Sequence, residues 1–156
     1  MQALRLRPSP LFLGEDRVSM LQEVNVEKIV TSLEKDGVSL GINLSPKSVD
    51  EILDWVSTAV HYGDQNENMG FLPSDQLKAE QKIGRKFAIA RIFNSVKDCA
   101  AIRALSEDPK LWEIAKQYIG CTPKFMGVHM RKSYPVEVTS LEQDTKLAQV
   151  FHTDID

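Results

Sequence analysis

Several things that would declare a compartment or a partner are scarce in this chain. It carries two cysteines, Cys99 and Cys121, in 156 residues. That is too few for the disulfide framework of a small secreted domain, so two reduced thiols in a cytoplasmic protein is the reading that follows. There is no basic excess. The net charge of -3 offers no general positive surface to a phosphate backbone, which sets nucleic acid aside as a partner. No apolar run approaches the roughly 20 residues that cross a bilayer, and a membrane partner is set aside with it. Near the N-terminus, Arg5, Arg7, Pro8 and Pro10 interrupt Leu4 to Leu13, so the segment lacks the apolar centre of a signal peptide. Repeats and low-complexity tracts are missing too. What remains is 42% hydrophobic and 26% charged, the balance of a folded globular chain, at a length that suits one domain.

The first 120 residues read mostly as helix. Val24, Val26, Ile29, Val30 and Leu33 form a loose apolar stripe that Asp36-Gly37 ends. Val38 to Leu44 alternates like a short strand. Ser45-Pro46 then starts a helix, a capping hydroxyl followed by proline at the first helical position. Its Val49, Ile52, Leu53, Val56 and Val60 fall at helical spacing and are expected to face inward. His61, near the end of that helix, suits an interaction with the helix dipole better than a metal. Gly63 to Pro73 is polar and reads as a loop, and Lys86 to Asn94 is apolar enough for strand or helix. A second clear helix has Asp108 as cap, Pro109 as first residue, Leu111, Ile114, Ala115 and Tyr118 as buried stripe, and Gly120 as stop. Trp112 and Tyr118 are expected as core or half-core aromatics.

After Pro123 the period changes. Lys124 to Ser133 looks extended, with Phe125, Gly127, His129 and Arg131 on one face and Met126, Val128, Met130 and Lys132 on the other. Pro135 to Lys146 is a polar connection, and Leu147 to Ile155 reads as a last strand. Helices first and strands second predict an α+β arrangement.

The last strand carries the chemistry. His152 and Asp154 are two residues apart, so in an extended strand they project to the same face. A neutral imidazole beside a carboxylate supplies two of the three protein ligands of a non-heme Fe(II) oxygenase. Alone the pair is weak, because a strand-end His and Asp that merely hydrogen-bond give the same pattern. The stretch before it is more specific. Asp108-Pro109-Lys110-Leu111-Trp112-Glu113-Ile114-Ala115, then Tyr118-Ile119-Gly120, then a strand, then Ala148-Gln149-Val150-Phe151-His152-Thr153-Asp154 resembles the phytanoyl-CoA hydroxylase family of Fe(II)- and 2-oxoglutarate-dependent dioxygenases. The early Asp36-Gly37-Val38 and Leu44-Ser45-Pro46 resemble that family's opening.

The resemblance implies N-terminal helices packed on part of a double-stranded β-helix (jelly roll), with His152 and Asp154 as iron ligands and 2-oxoglutarate as cosubstrate. It also implies a distal histidine ligand and a carboxylate-clamping arginine later in the chain. Neither follows Asp156, so residues 1–156 are expected to be one N-terminal portion of a dioxygenase, 1–120 mostly helical and 121–156 the first strands of the core, inactive alone. Aspartate at position 154 favours hydroxylation over halogenation, since the related halogenases carry a small residue there. Arg131 and Lys132, on opposite faces of the preceding strand, are candidates to hold the cosubstrate, and at most one of them can point into a barrel. His129 shares a face with Arg131 and is a poor substitute for the third ligand. The substrate is expected to be a small organic or acyl molecule. Unpaired strand edges are expected to drive self-association. The competing reading is a non-catalytic α+β interaction module whose His-x-Asp is incidental.

Overall fold

The computed structural model describes residues 17–135. They are α+β and group into two compact units, one from 17–52 and 99–127, the other from 53–98 and 128–135.

The first unit is helical. α1 (Val26–Asp36) starts where the Asn25 side chain accepts the Lys28 N–H at 2.9 Å, and it stops at Gly37, whose φ of 70° is left-handed. Its buried Ile29 and Val30 meet Ile114 of α6 (Pro109–Ile119), and Val24, Val26, Leu33 and Leu111 surround that contact. Each fully buried aliphatic side chain contributes roughly 1.5–3 kcal/mol. Asp108 caps α6 as its sequence position predicts, accepting from the N–H groups of Lys110 and Leu111. The carboxylate does more than cap, however. It is buried, and it also accepts the Ser19 hydroxyl at 2.9 Å and the Met20 N–H at 2.8 Å. One buried charge, satisfied from four sides, thus ties the incoming segment to the start of a helix. The Lys110 ammonium adds bonds to the carbonyls of Gln22 and Val24 at 2.6 and 2.7 Å. α5 (Ala100–Ser106) belongs to the same unit, and its Ala101 N–H donates to the Glu51 carboxylate at 2.8 Å.

Of two expectations nearby, one fails and one is met only in part. Val38 to Leu44 forms no strand, and its Leu40 is 88% exposed: alternation over so few residues finds no neighbouring strand to pair with. α2 (Pro46–Thr58) does start at Ser45, which accepts the Ser48 N–H at 3.1 Å, yet none of its residues is buried and Leu53 is 59% exposed. Cap and spacing make the helix; its apolar stripe is only partly covered, with Ile52 and Val56 half-buried.

The second unit holds a four-stranded antiparallel sheet. β1 (His61–Gly63), β2 (Gly70–Phe71), β3 (Ile89–Ile92) and β4 (Met130–Ser133) lie in the order β2-β1-β3-β4. A 3-10 turn (Pro73–Asp75) leads into α3 (Gln76–Ile83), and α4 (Ser95–Asp98) follows β3. Helices first and strands second is therefore not the order found, because three of the four strands precede α4. His61 begins a strand instead of ending a helix, and the expected loop 63–73 contains the β1–β2 hairpin. The stretch 124–133 is paired as a strand only from Met130 onward, and of the stretch from Lys86 to Asn94, open to strand or helix, Ile89–Ile92 forms a strand.

Candidate functional site

In an antiparallel pair, residues directly opposite share a face, and neighbours along a strand alternate. The registers His61↔Ile92, Gly63↔Ala90, His61↔Phe71, Ala90↔Lys132 and Ile92↔Met130 put those residues on one face of the sheet. That face is the closed one. Phe71, Phe87, Ala90 and Tyr134 form its core, with Met69, Ala79 and Ile83 packed against it. The Phe87 ring stacks on Phe71 with centroids 4.8 Å apart and fills the space where a Cβ on Gly63 would sit.

His61 is wholly buried there. Its Nε2 lies 3.0 Å from the Val56 carbonyl oxygen, and its Nδ1 lies 3.2 Å from the Tyr134 hydroxyl. A carbonyl only accepts, so Nε2 carries the proton and Nδ1 accepts from Tyr134. The dipole idea is thus half right: the ring does bond a late carbonyl of α2, but from a strand. Burial lowers the pKa of His61 and outweighs the Val56 bond, which acts to raise it; the charge of Lys132 lowers it further. Burial first, and then the Glu80 carboxylate, push Tyr134 up. Glu80 is buried as well, and accepts from the Phe87 N–H and the Gln76 side-chain amide at 3.1 and 3.0 Å. These polar groups are paired and shut away from solvent, which makes them structural.

The other face is the more open one, although Ile89 at one end of it is buried. Tyr62, Arg91 and Arg131 lie in register across β1, β3 and β4. Arg91 Nη2 donates to Nδ1 of His129 at 2.8 Å, which leaves the imidazole proton on Nε2. The Arg91 guanidinium carbon stands 4.7 Å from the centroid of the Phe93 ring, against which Tyr62 packs edge-on at 4.8 Å. Arg91 is half-buried, whereas His129 and Arg131 are exposed. Among the described residues no carboxylate pairs with Arg91 or Arg131; the ion pairs Arg17–Glu107, Lys78–Asp75 and Arg85–Asp64 lie elsewhere.

Of the two expected cosubstrate residues, Arg131 therefore sits among other cations on the open face. Lys132 belongs to the closed face, at its rim, with its ammonium 5.3 Å from the Tyr134 ring centroid. His152 and Asp154 lie outside the described residues, and among the described residues no three His, Cys, Asp or Glu side chains gather as a metal site. Trp112 is half-buried, with its indole N–H on the Ser106 carbonyl at 2.9 Å, and Tyr118 is 50% exposed. Among the described residues no helix is long and apolar enough to cross a membrane. Arg91 was not legible as a site residue. Its only signal is a cation in an apolar strand-like run, and its place opposite Arg131 depends on a register that one sequence does not contain. Compared with protein-family models, curated proteins and solved structures, the chain matches none.

Proposed function

We propose that this chain belongs to an Fe(II)- and 2-oxoglutarate-dependent oxygenase that hydroxylates a small organic or acyl substrate in the cytoplasm. The observation that carries the reading is His152-Thr153-Asp154, preceded by the helix and strand that resemble the phytanoyl-CoA hydroxylase family. The donor set fits in kind: imidazole and carboxylate are two of the three ligands such an iron takes. Bound iron with 2-oxoglutarate and dioxygen would supply oxidation of a substrate C–H bond. The chain's own part is to ligate through His152 and Asp154 and to position the cosubstrate, for which Arg131 is favoured over Lys132 by its place on the open face. An antiparallel sheet suits the first strands of a double-stranded β-helix, and we assign it that role.

The reading is tested by turnover of the full-length protein. Succinate should form from 2-oxoglutarate only with Fe(II) present, and His152→Ala should abolish it. Equal succinate from His152→Ala would sink the assignment.

Among the described residues β4 is an outer strand, and its edge supports self-association, but Arg131 and Lys132 on it oppose pairing by repulsion. Copies are therefore expected to pair only when salt screens those charges.

A further inference from the structure

We propose that the open face of the sheet is an oxyanion clamp, in which Arg91 and Arg131 grip the carboxylate or phosphate group of a small molecule beside His129. The first argument is a local rule broken without visible compensation. Arg91 and Arg131 are direct cross-strand partners, and like charges so placed destabilise a sheet. Among the described residues no carboxylate relieves them. A solvated surface has no need of that arrangement, and features that break such rules gather at functional sites.

The second argument is pre-organisation. An ordinary surface arginine samples many rotamers, but Arg91 is half-buried, stacked on Phe93 and bonded to His129. Holding the donor in advance removes part of the ordering cost that a ligand otherwise meets. A guanidinium presents its N–H groups as a planar fork that matches carboxylate and phosphate oxygens two at a time. Two such forks borne by directly paired residues of one strand pair, with Tyr62 and Phe93 as an apolar margin, suit a single oxyanion group on a small body. A polyanion is disfavoured, since the chain as a whole is negative.

The clamp shares Arg131 with the oxygenase reading but does not need iron, so the two can fail separately. The test is isothermal titration of the chain in EDTA at low ionic strength, with succinate, 2-oxoglutarate and inorganic phosphate as probes. At least one probe should saturate, and Arg91→Gln and Arg131→Gln should each weaken it about tenfold. Lys124→Gln, on an exposed residue outside the four strands, should leave it unchanged. Response to the carboxylates alone assigns an acid, and response to phosphate alone assigns a phosphate ester; either supports the clamp. Arg131→Lys keeps the charge and loses the fork, so it should also weaken binding; because Arg131 is exposed, its variants carry the test even if Arg91→Gln unfolds. Saturation by none of the probes overturns the proposal, as does wild-type binding by the Arg131 variants.

Discussion

The two faces of the small sheet obey opposite rules. On the closed face the buried polar side chains are hydrogen-bonded: His61 with Val56 and Tyr134, Glu80 with Phe87 and Gln76. On the open face two arginines are paired in register across β3 and β4, and among the described residues the polar bond fixed there joins one of them to an imidazole. Stability governs the first face. The second gives up stability and gains positioned donors, which is the pattern of a surface arranged for something that is not part of the fold.

The contrast can be broken from the closed side first, where effects should be largest. Gly63→Ala drives a methyl group into the Phe87 ring, which is 1% exposed and stacked on Phe71. It should cost about 3 kcal/mol by chemical denaturation. Adding Phe87→Leu should recover part of that loss, because the ring is the obstacle. His61→Phe comes next. It leaves the Tyr134 hydroxyl and the Val56 carbonyl without their partner, at a cost of about 2 kcal/mol.

His61 also makes a prediction in pH. Its folded pKa is lowered by burial, so below the ordinary imidazole value of about 6.5 the unfolded chain takes up a proton that the folded chain resists. Its contribution to stability is thus complete above that value and declines as the pH falls beneath it. Melting temperatures taken at about pH 7.5 and about pH 5.5 should fall more in the wild type than in His61→Phe.

The open side should respond in the other direction and more weakly. Arg131→Thr removes a like-charge pair and adds a strand-favouring residue, so without ligand it should raise stability by about 0.5 kcal/mol. A loss of similar size would mean that the arginines are part of the fold's support, and the contrast between the faces would disappear. The smallest effect is association. Light scattering should find monomers at low salt and dimers only at high salt; dimers favoured by low salt would contradict the cationic edge.

How much of this was legible follows from the range over which each signal acts. The end of α1 at Gly37 and both ends of α6 were readable, since a cap is decided by residues within one turn: Asp108 bonds N–H groups two and three positions away, and Gly37 and Gly120 turn left-handed. The hairpin of β1 and β2 was not. Its strands have three and two residues, and its turn places Asp64 and Gln65 at positive φ without a glycine to announce it. Such strands exist because β3 lies beside β1, and that is tertiary information. The inward face assigned to α2 is met only in part, by half-buried Ile52 and Val56, since spacing reports which residues are apolar and not how far anything covers them. Within the candidate site, the opposite faces of Arg131 and Lys132 were legible from alternation alone. The choice of Arg131 over Lys132, and the presence of Arg91, required the register of β3 against β4.

The central claim, that His152 and Asp154 hold iron, is tested most directly by binding without turnover. Residues 1–156 should be titrated anaerobically with Fe(II), and separately with Co(II) followed by its visible absorption. Weak saturable binding is expected, reduced at least about tenfold in both His152→Ala and Asp154→Ala, in line with the loss of a ligand. Wild-type binding that persists unchanged in the two variants would contradict the account.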